Sequence, residues 1–233
     1  MLRTENLGAG YRKLQVLFEV SVSAPEKLLT TVLGPNGSGK STLLKTIFGL
    51  TRIYSGKVYL DGKDITGLPP HSVASHGVAY VPQVDNVFAN LTVHENLLIS
   101  TYGMAKREQA IYDVMEIFPH LKKYRGKKAA LMSGGERQML AIAMALIRQP
   151  KLMLFDEPTG NLSPKMATQI LNIIKELRDD YGKTILLAEQ NARKALEIAD
   201  RAVLLVSGRP VYEGEAWMLL RHEELGKLYL GIK

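Results

Sequence analysis

The 233-residue chain is long enough to bury a substantial core, and its 46% hydrophobic and 23% charged residues fit a globular fold, not a collagen-like, low-complexity or disordered chain. It has no cysteine, which excludes disulfides and thiolate metal sites, and no apolar run approaching the roughly 20 residues of a membrane-spanning helix. A formal net charge of +7 favours polyanionic partners without choosing among phosphates, nucleic acid and anionic lipid.

The opening residues, MLRTENLGAGYRK, lack the apolar centre of a secretory leader, so none is expected. Lys27 to Leu33 reads as a buried strand ending at Gly34, and Ser41 to Leu50 as a helix closed by Gly49. Lys57 to Leu60 and Lys63 to Ile65, joined by Asp61-Gly62, form a hairpin signal. Val78 to Val81 is a short strand stopped by Pro82. Helical spacing then dominates from about Leu91 to Ile147, whose last residues, from Leu140, form the longest apolar stretch. The basic cluster from Lys122 to Lys128 reads as a solvated turn, with a binding surface as the alternative. Lys151 to Phe155, Thr184 to Ala188 and Ala202 to Val206 are further strands, and a helix from Pro164 to Asp180 separates the first two. Alternating strands and helices predict an α/β fold with a mostly parallel sheet. The N-terminal strands and the hairpin predict an antiparallel β flank. The helical middle predicts an inserted subdomain.

Gly34, Pro35, Asn36, Gly37, Ser38, Gly39, Lys40 and Ser41 match G-x-x-x-x-G-K-[ST] in full, with Thr42 following in the helix. Positions without side chains let backbone N–H groups wrap a phosphate chain, and the positive end of the following helix faces the same anion. Lys40 supplies a point charge to the terminal phosphates, and the Ser41 hydroxyl is a ligand for Mg²⁺. Chance alone produces this pattern about once in a hundred chains of this length at average composition, and the strand before it and the helix after it lower that further. A second signal is Leu152-Met153-Leu154-Phe155-Asp156-Glu157, an apolar strand that ends in two carboxylates, where open α/β sheets bind ligands. Asp156 is the candidate metal ligand, and Glu157 the candidate group that orients or deprotonates an attacking water.

The third motif is Ser133-Gly134-Gly135-Glu136, preceded by Leu131-Met132 and followed by a helix expected over Met139 to Arg148. With it the chain resembles the ATP-binding-cassette (ABC) family, whose signature reads close to LSGGE or LSGGQ; Met132 stands where leucine is usual. The resemblance extends over essentially the whole chain and implies a P-loop NTPase core in residues 1–85 and 149–233, with a helical signature subdomain in 86–148. It implies ATP and Mg²⁺ as ligands. The phosphate loop of one protomer and Ser133, Gly134, Gly135 and Glu136 of a second would sandwich each nucleotide. By the same resemblance Tyr11 stacks on adenine, and Gln83 touches both Mg²⁺ and the attacking water. The implied partners are a second ABC ATPase subunit, identical or a sister, and integral membrane permease subunits that hold the chain at the cytoplasmic face of the membrane. A substrate-binding protein is expected for an importer, and no nucleic acid.

Two positions depart from the family pattern. Gln190 stands where most members have histidine, so the γ-phosphate contact would come from an amide that carries no charge near neutral pH. Ser163 stands where many have aspartate. Glu189-Gln190-Asn191-Ala192, the stretch Phe88 to Leu98 and Tyr229-Leu230-Gly231 resemble the second ATP-binding subunit of branched-chain amino-acid importers. Alternatives are a nucleotide-gated regulatory module with little turnover, or a transporter ATPase for another cargo.

Overall fold

The computed structural model describes residues 1–84 and 86–222. In chain order, β1 (Leu2–Tyr11), β2 (Leu14–Val20) and β3 (Ser23–Ala24) precede β4 (Leu29–Leu33) and α1 (Lys40–Ile47). Next come β5 (Arg52–Leu60), β6 (Lys63–Asp64), α2 (Pro70–Ser75) and β7 (Val78–Val81). The helical stretch holds α3 (Val93–Ser100), α4 (Arg107–Ile117), two 3₁₀ turns and α5 (Gly134–Leu146). The chain then alternates through β8 (Leu152–Asp156), α6 (Pro164–Asp179), β9 (Thr184–Ala188), α7 (Ala192–Ile198), β10 (Arg201–Val206), β11 (Arg209–Glu215) and α8 (Ala216–Arg221).

Two sheets result. The first is antiparallel, in the order β2-β1-β5-β6, with β3 also paired to β1. The second runs β11-β10-β4-β9-β8-β7 and is parallel throughout except for its β10–β11 edge. Helices or sheet cover both faces of its middle strands, which is why β4, β8 and β9 are buried along their whole length and read as unbroken apolar runs. Alternation assigns each side chain to a layer. Leu152, Leu154, Leu186, Ala188 and Val203 face α1 and the antiparallel sheet, packing on Leu43, Leu44, Ile47, Leu7 and Leu17. Met153, Phe155, Ile185, Leu187 and Leu204 face the opposite layer, with Leu140, Ile142, Ile170, Ile174 and Leu196. That second core continues into the helical stretch through Val93, Leu97, Ile111 and Val114.

Several boundaries differ from expectation for local reasons. β4 starts at Leu29, not Lys27, because Lys27 is in a left-handed turn with φ 58°. β8 shifts by one residue, so that Asp156 is its last member. α5 begins at Gly134, well before the expected Met139, because Ser133 and Glu136 close a capping box at its start. β11 carries no apolar run. It is an edge strand whose residues alternate between exposed and half-buried, and pairing with β10 holds it in place. Tyr229, Leu230 and Gly231 lie outside the described residues.

The segment ahead of α3 has no strand or helix of its own, and one side chain does the work of a ladder. Asn96 is fully buried. Its Oδ1 accepts from the Phe88 N–H at 2.7 Å, while Nδ2 donates to the carbonyls of Phe88 at 3.0 Å and Thr92 at 2.9 Å. Asn96→Leu keeps the volume and strands these backbone groups. It should cost about 2 kcal/mol and lower the thermal midpoint by about 4–8 °C, measured by calorimetry.

Candidate functional site

β4, β9, β8 and β7 lie side by side and point the same way, so the segments that follow them share one edge of the sheet. Those segments begin at Gly34, Glu189, Glu157 and Pro82. The topology therefore gathers the phosphate loop, Gln190, the two carboxylates and Gln83.

The loop is wound tightly against its surroundings. Gly34 has φ 147°, and a Cβ there would lie 2.1 Å from the Leu205 carbonyl oxygen. Gly39, at φ 104°, is the left-handed N-cap of α1, and a Cβ on it would meet Leu17 at 2.8 Å. Only glycine fits both conditions at either place. Pro35, Asn36 and Gly37 form the exposed crest, whereas Ser38, Lys40 and Thr42 are buried. The Ser38 hydroxyl finds no hydrogen-bond partner among the described residues.

The Lys40 ammonium donates to the carbonyls of Gly34 at 3.0 Å and Pro35 at 3.3 Å, and lies 3.5 Å from Glu157 Oε1. Ser41 Oγ donates to Asp156 Oδ1 at 2.7 Å. The other oxygen of Asp156 accepts from the Tyr80 hydroxyl at 2.9 Å, and the Tyr80 ring stacks on Phe48. Burial, followed by the Asp156 charge, pushes the Tyr80 hydroxyl's pKa well up, so it stays a donor at neutral pH. Glu157 sits just past β8 with φ 47°, a left-handed backbone that turns its side chain toward Lys40 and Gln83. Gln83 Nε2 donates to Glu157 Oε2 at 3.1 Å. Gln190 is exposed and lines one cleft with Glu157, Gly160 and Lys194.

The other candidates take no part in these hydrogen bonds and ion pairs among the described residues. Tyr11 ends β1, is 41% exposed, and lies within electrostatic reach of Tyr80. Ser133, Gly134, Gly135 and Glu136 begin α5, and no hydrogen bond or ion pair among the described residues joins them to residues 34–42 of the same chain. Instead Gly134 and Gly135 approach Leu162 and Met166 at the start of α6. Ser133 Oγ accepts from the Glu136 N–H at 3.4 Å, and the Glu136 carboxylate accepts from the Ser133 N–H and hydroxyl, both at 2.9 Å. Glu136 also accepts a short bond from the Tyr124 hydroxyl, and Lys123 and Lys127 cover the Tyr124 ring. The basic cluster is thus partly spent on holding this helix tip. Ser163 caps α6, accepting from the Met166 N–H. This is a task that aspartate performs equally well.

Sequence reasoning missed Tyr80, Tyr124 and Glu189. The first two read as ordinary strand and turn aromatics, and only long-range pairing reveals their carboxylate partners. Glu189 did leave a trace, as a charge set directly after five residues of buried strand.

A family model described as "ABC transporter" matches residues 17–160. The chain is 53% identical to the "Probable branched-chain amino acid transport ATP-binding protein LivF" of Archaeoglobus fulgidus, covering 100% of this chain and 99% of that one. It is 41% identical to the "High-affinity branched-chain amino acid transport ATP-binding protein BraG" of Pseudomonas aeruginosa, covering 99% and 100%. A solved dimeric ATP-binding cassette, in a post-hydrolysis state bound to ADP and Pi, superposes with a TM-score of 0.81 at 27% identity, covering 93% of this chain and 99% of that one.

The tip of α5 yields a separable pair of predictions. Ser133→Ala removes the cap and should cost about 1 kcal/mol in thermal unfolding. The Glu136 carboxyl is held below its usual value of 4.5, first by the Tyr124 hydroxyl and then by the Ser133 N–H and hydroxyl, against an opposing desolvation. A depressed carboxyl stabilises the fold above its unfolded pKa, and that contribution is lost as pH falls through the folded pKa. Tyr124→Phe should therefore melt below the parent at neutral pH, and the gap should narrow as the pH is lowered to about 3.

Proposed function

Since the chain belongs to the ABC transporter family, we propose that it is the ATP-hydrolysing subunit of an importer for branched-chain or other hydrophobic amino acids. The pairing of Lys40 with Glu157 at 3.5 Å carries this reading. It sets the phosphate-binding cation and the carboxylate that serves the attacking water at one point.

An arriving γ-phosphate competes with Glu157 for the Lys40 ammonium, and the Ser38 hydroxyl gains the acceptor it lacks. Glu157, still bonded to Gln83, is then free to orient a water and take its proton. The water oxygen bonds to the γ-phosphorus as the bond to the ADP oxygen breaks, giving ADP and phosphate. The Gln190 amide, lining the same cleft as Glu157, donates to the γ-phosphate, and Tyr11 offers its exposed ring to adenine. The donor set suits Mg²⁺. Ser41 and Asp156 are hard oxygen ligands already 2.7 Å apart. The described residues contain no cluster of three or more His, Cys, Asp or Glu able to hold a metal unaided, so Ser41 and Asp156 would hold Mg²⁺ together with the bound nucleotide and water. Bound there, Mg²⁺ neutralises charge on the transferred phosphoryl group, with Gln83 as a further contact.

The whole chain acts as one ABC ATPase domain with the helical stretch as its signature subdomain. No hydrogen bond or ion pair among the described residues ties the tip of α5 to its own phosphate loop, which supports a second subunit, identical or a sister, completing each nucleotide site. No helix of the described residues is long and apolar enough to cross a membrane. Transport then requires integral permease subunits that hold the chain at the cytoplasmic face. Val84, Phe88, Ile99 and Tyr102 are exposed around α3 and the loop leading to it, and suit such contacts. An importer also needs a substrate-binding protein, and nucleic acid is not among the proposed partners.

Glu157→Gln should lower Mg²⁺-dependent ATPase by about 10³-fold or more yet leave ATP binding intact and favour the dimer on size exclusion. Parental turnover in this variant would remove Glu157 from the role of base. Gln190 and Ser163, the two departures from the family pattern, favour a second reading, a regulatory module with negligible turnover. Parental turnover no higher than that of Lys40→Ala, with the permease present, would select it.

A further inference from the structure

Glu189 is 2% exposed, no cation pairs with it among the described residues, and the steps above leave it unused. Its Oε1 accepts from the Thr159 N–H at 3.1 Å and the Thr159 hydroxyl at 2.8 Å. Its Oε2 accepts from the Gln190 N–H at 3.1 Å. These donors belong to two different segments, the turn after β9 that carries Gln190 and the loop between β8 and α6 that begins with Glu157. Each segment is anchored close by. The Glu189 N–H donates to the Val32 carbonyl of β4 at 3.2 Å, just ahead of the phosphate loop. The Glu157 N–H donates to the Ala188 carbonyl at 2.9 Å, and the Gly160 N–H to the Glu157 carbonyl at 3.0 Å. Gly160 also lies against the Gln83 amide, since a Cβ there would be 3.1 Å from Nε2.

An ionised carboxylate only accepts hydrogen bonds, and every group facing this one donates. Burial pushes the Glu189 carboxyl's pKa upward, while the donors from Thr159, Gln190 and Asn191 act against that rise. A buried carboxyl that meets only donors and no cation among the described residues, at the junction of two loops that both enter the reaction cleft, does more than fill space. We propose that Glu189 is a positioning residue: through its two oxygens it locks the Gln190 turn to the Thr159 loop, so that the phosphate-facing amide and the Glu157 carboxylate hold a common register. This inference rests on the ATPase reading above.

The test uses the full chain with its permease partners. The parental rate is compared first with that of Lys40→Ala; equality would overturn the ATPase reading itself, and this inference with it. Given an active parent, Glu189→Gln keeps the size but turns an N–H donor toward groups that already donate. It should lower kcat about tenfold while the KM for ATP stays within about twofold. Thr159→Val loses one donor and should lower kcat about threefold, whereas Thr159→Ser, which keeps both donors, should retain the parental rate. The double variant Glu189→Gln/Thr159→Val should be no slower than Glu189→Gln alone, because both changes act through one contact. Parental kcat in Glu189→Gln, multiplicative losses in the double variant, or KM rising in step with kcat loss would each overturn the proposal. Should Glu189→Gln fail to fold, the Thr159 pair still decides. Slow turnover in Val with unchanged KM and full rate in Ser supports the bracket, and equal rates in both refute it.

Discussion

Ser41 and Asp156 are 115 residues apart in the chain, yet their oxygens lie 2.7 Å apart. That contact exists because β4, β9, β8 and β7 run parallel as neighbours, and a parallel sheet puts every strand's carboxyl end on the same edge. The rest of the site depends on this constraint. Lys40 reaches Glu157, Gln83 reaches Glu157, and Glu189 reaches Thr159 only because the segments carrying them leave that common edge.

The packing explains why the edge can be held still. α1 is wedged between the two sheets through Leu43, Leu44 and Ile47, so the phosphate loop that feeds it is gripped from both sides. On the other face, Met153 and Phe155 of β8 pack into a core that runs on into the helical stretch. That core joins β8, the strand that ends in Asp156, to α3 and α5 in one close-packed layer. The bond from Asn86 Nδ2 to Gln138 Oε1, 2.7 Å, adds a direct link between the loop after Gln83 and α5.

Charge is handled in two ways around the site. Lys40 and Glu157 neutralise each other as an ion pair at 3.5 Å. Glu189 and Glu136 are instead satisfied by N–H and O–H donors, Glu189 by them alone, and both serve to fix loop geometry. A carboxylate held this way keeps its orientation without a long, mobile cationic side chain as its counterpart.

Local chemistry was legible in the amino-acid sequence wherever neighbours in the chain decide the outcome. The glycine-rich turn from Gly34 to Gly39 between a strand and a helix, the apolar strands, and the Asp61-Gly62 hairpin lie close to where they were expected, because turn geometry and unbroken apolar runs are short-range properties. The family resemblance rested on these same motifs. The strand order and the partners of Tyr80, Tyr124 and Glu189 were decided only by the tertiary fold. Each of these depends on segments distant in sequence meeting across a sheet edge or a helix tip. β11 is the simplest case: with no apolar pattern of its own, it becomes a strand only because β10 offers a free edge to pair with.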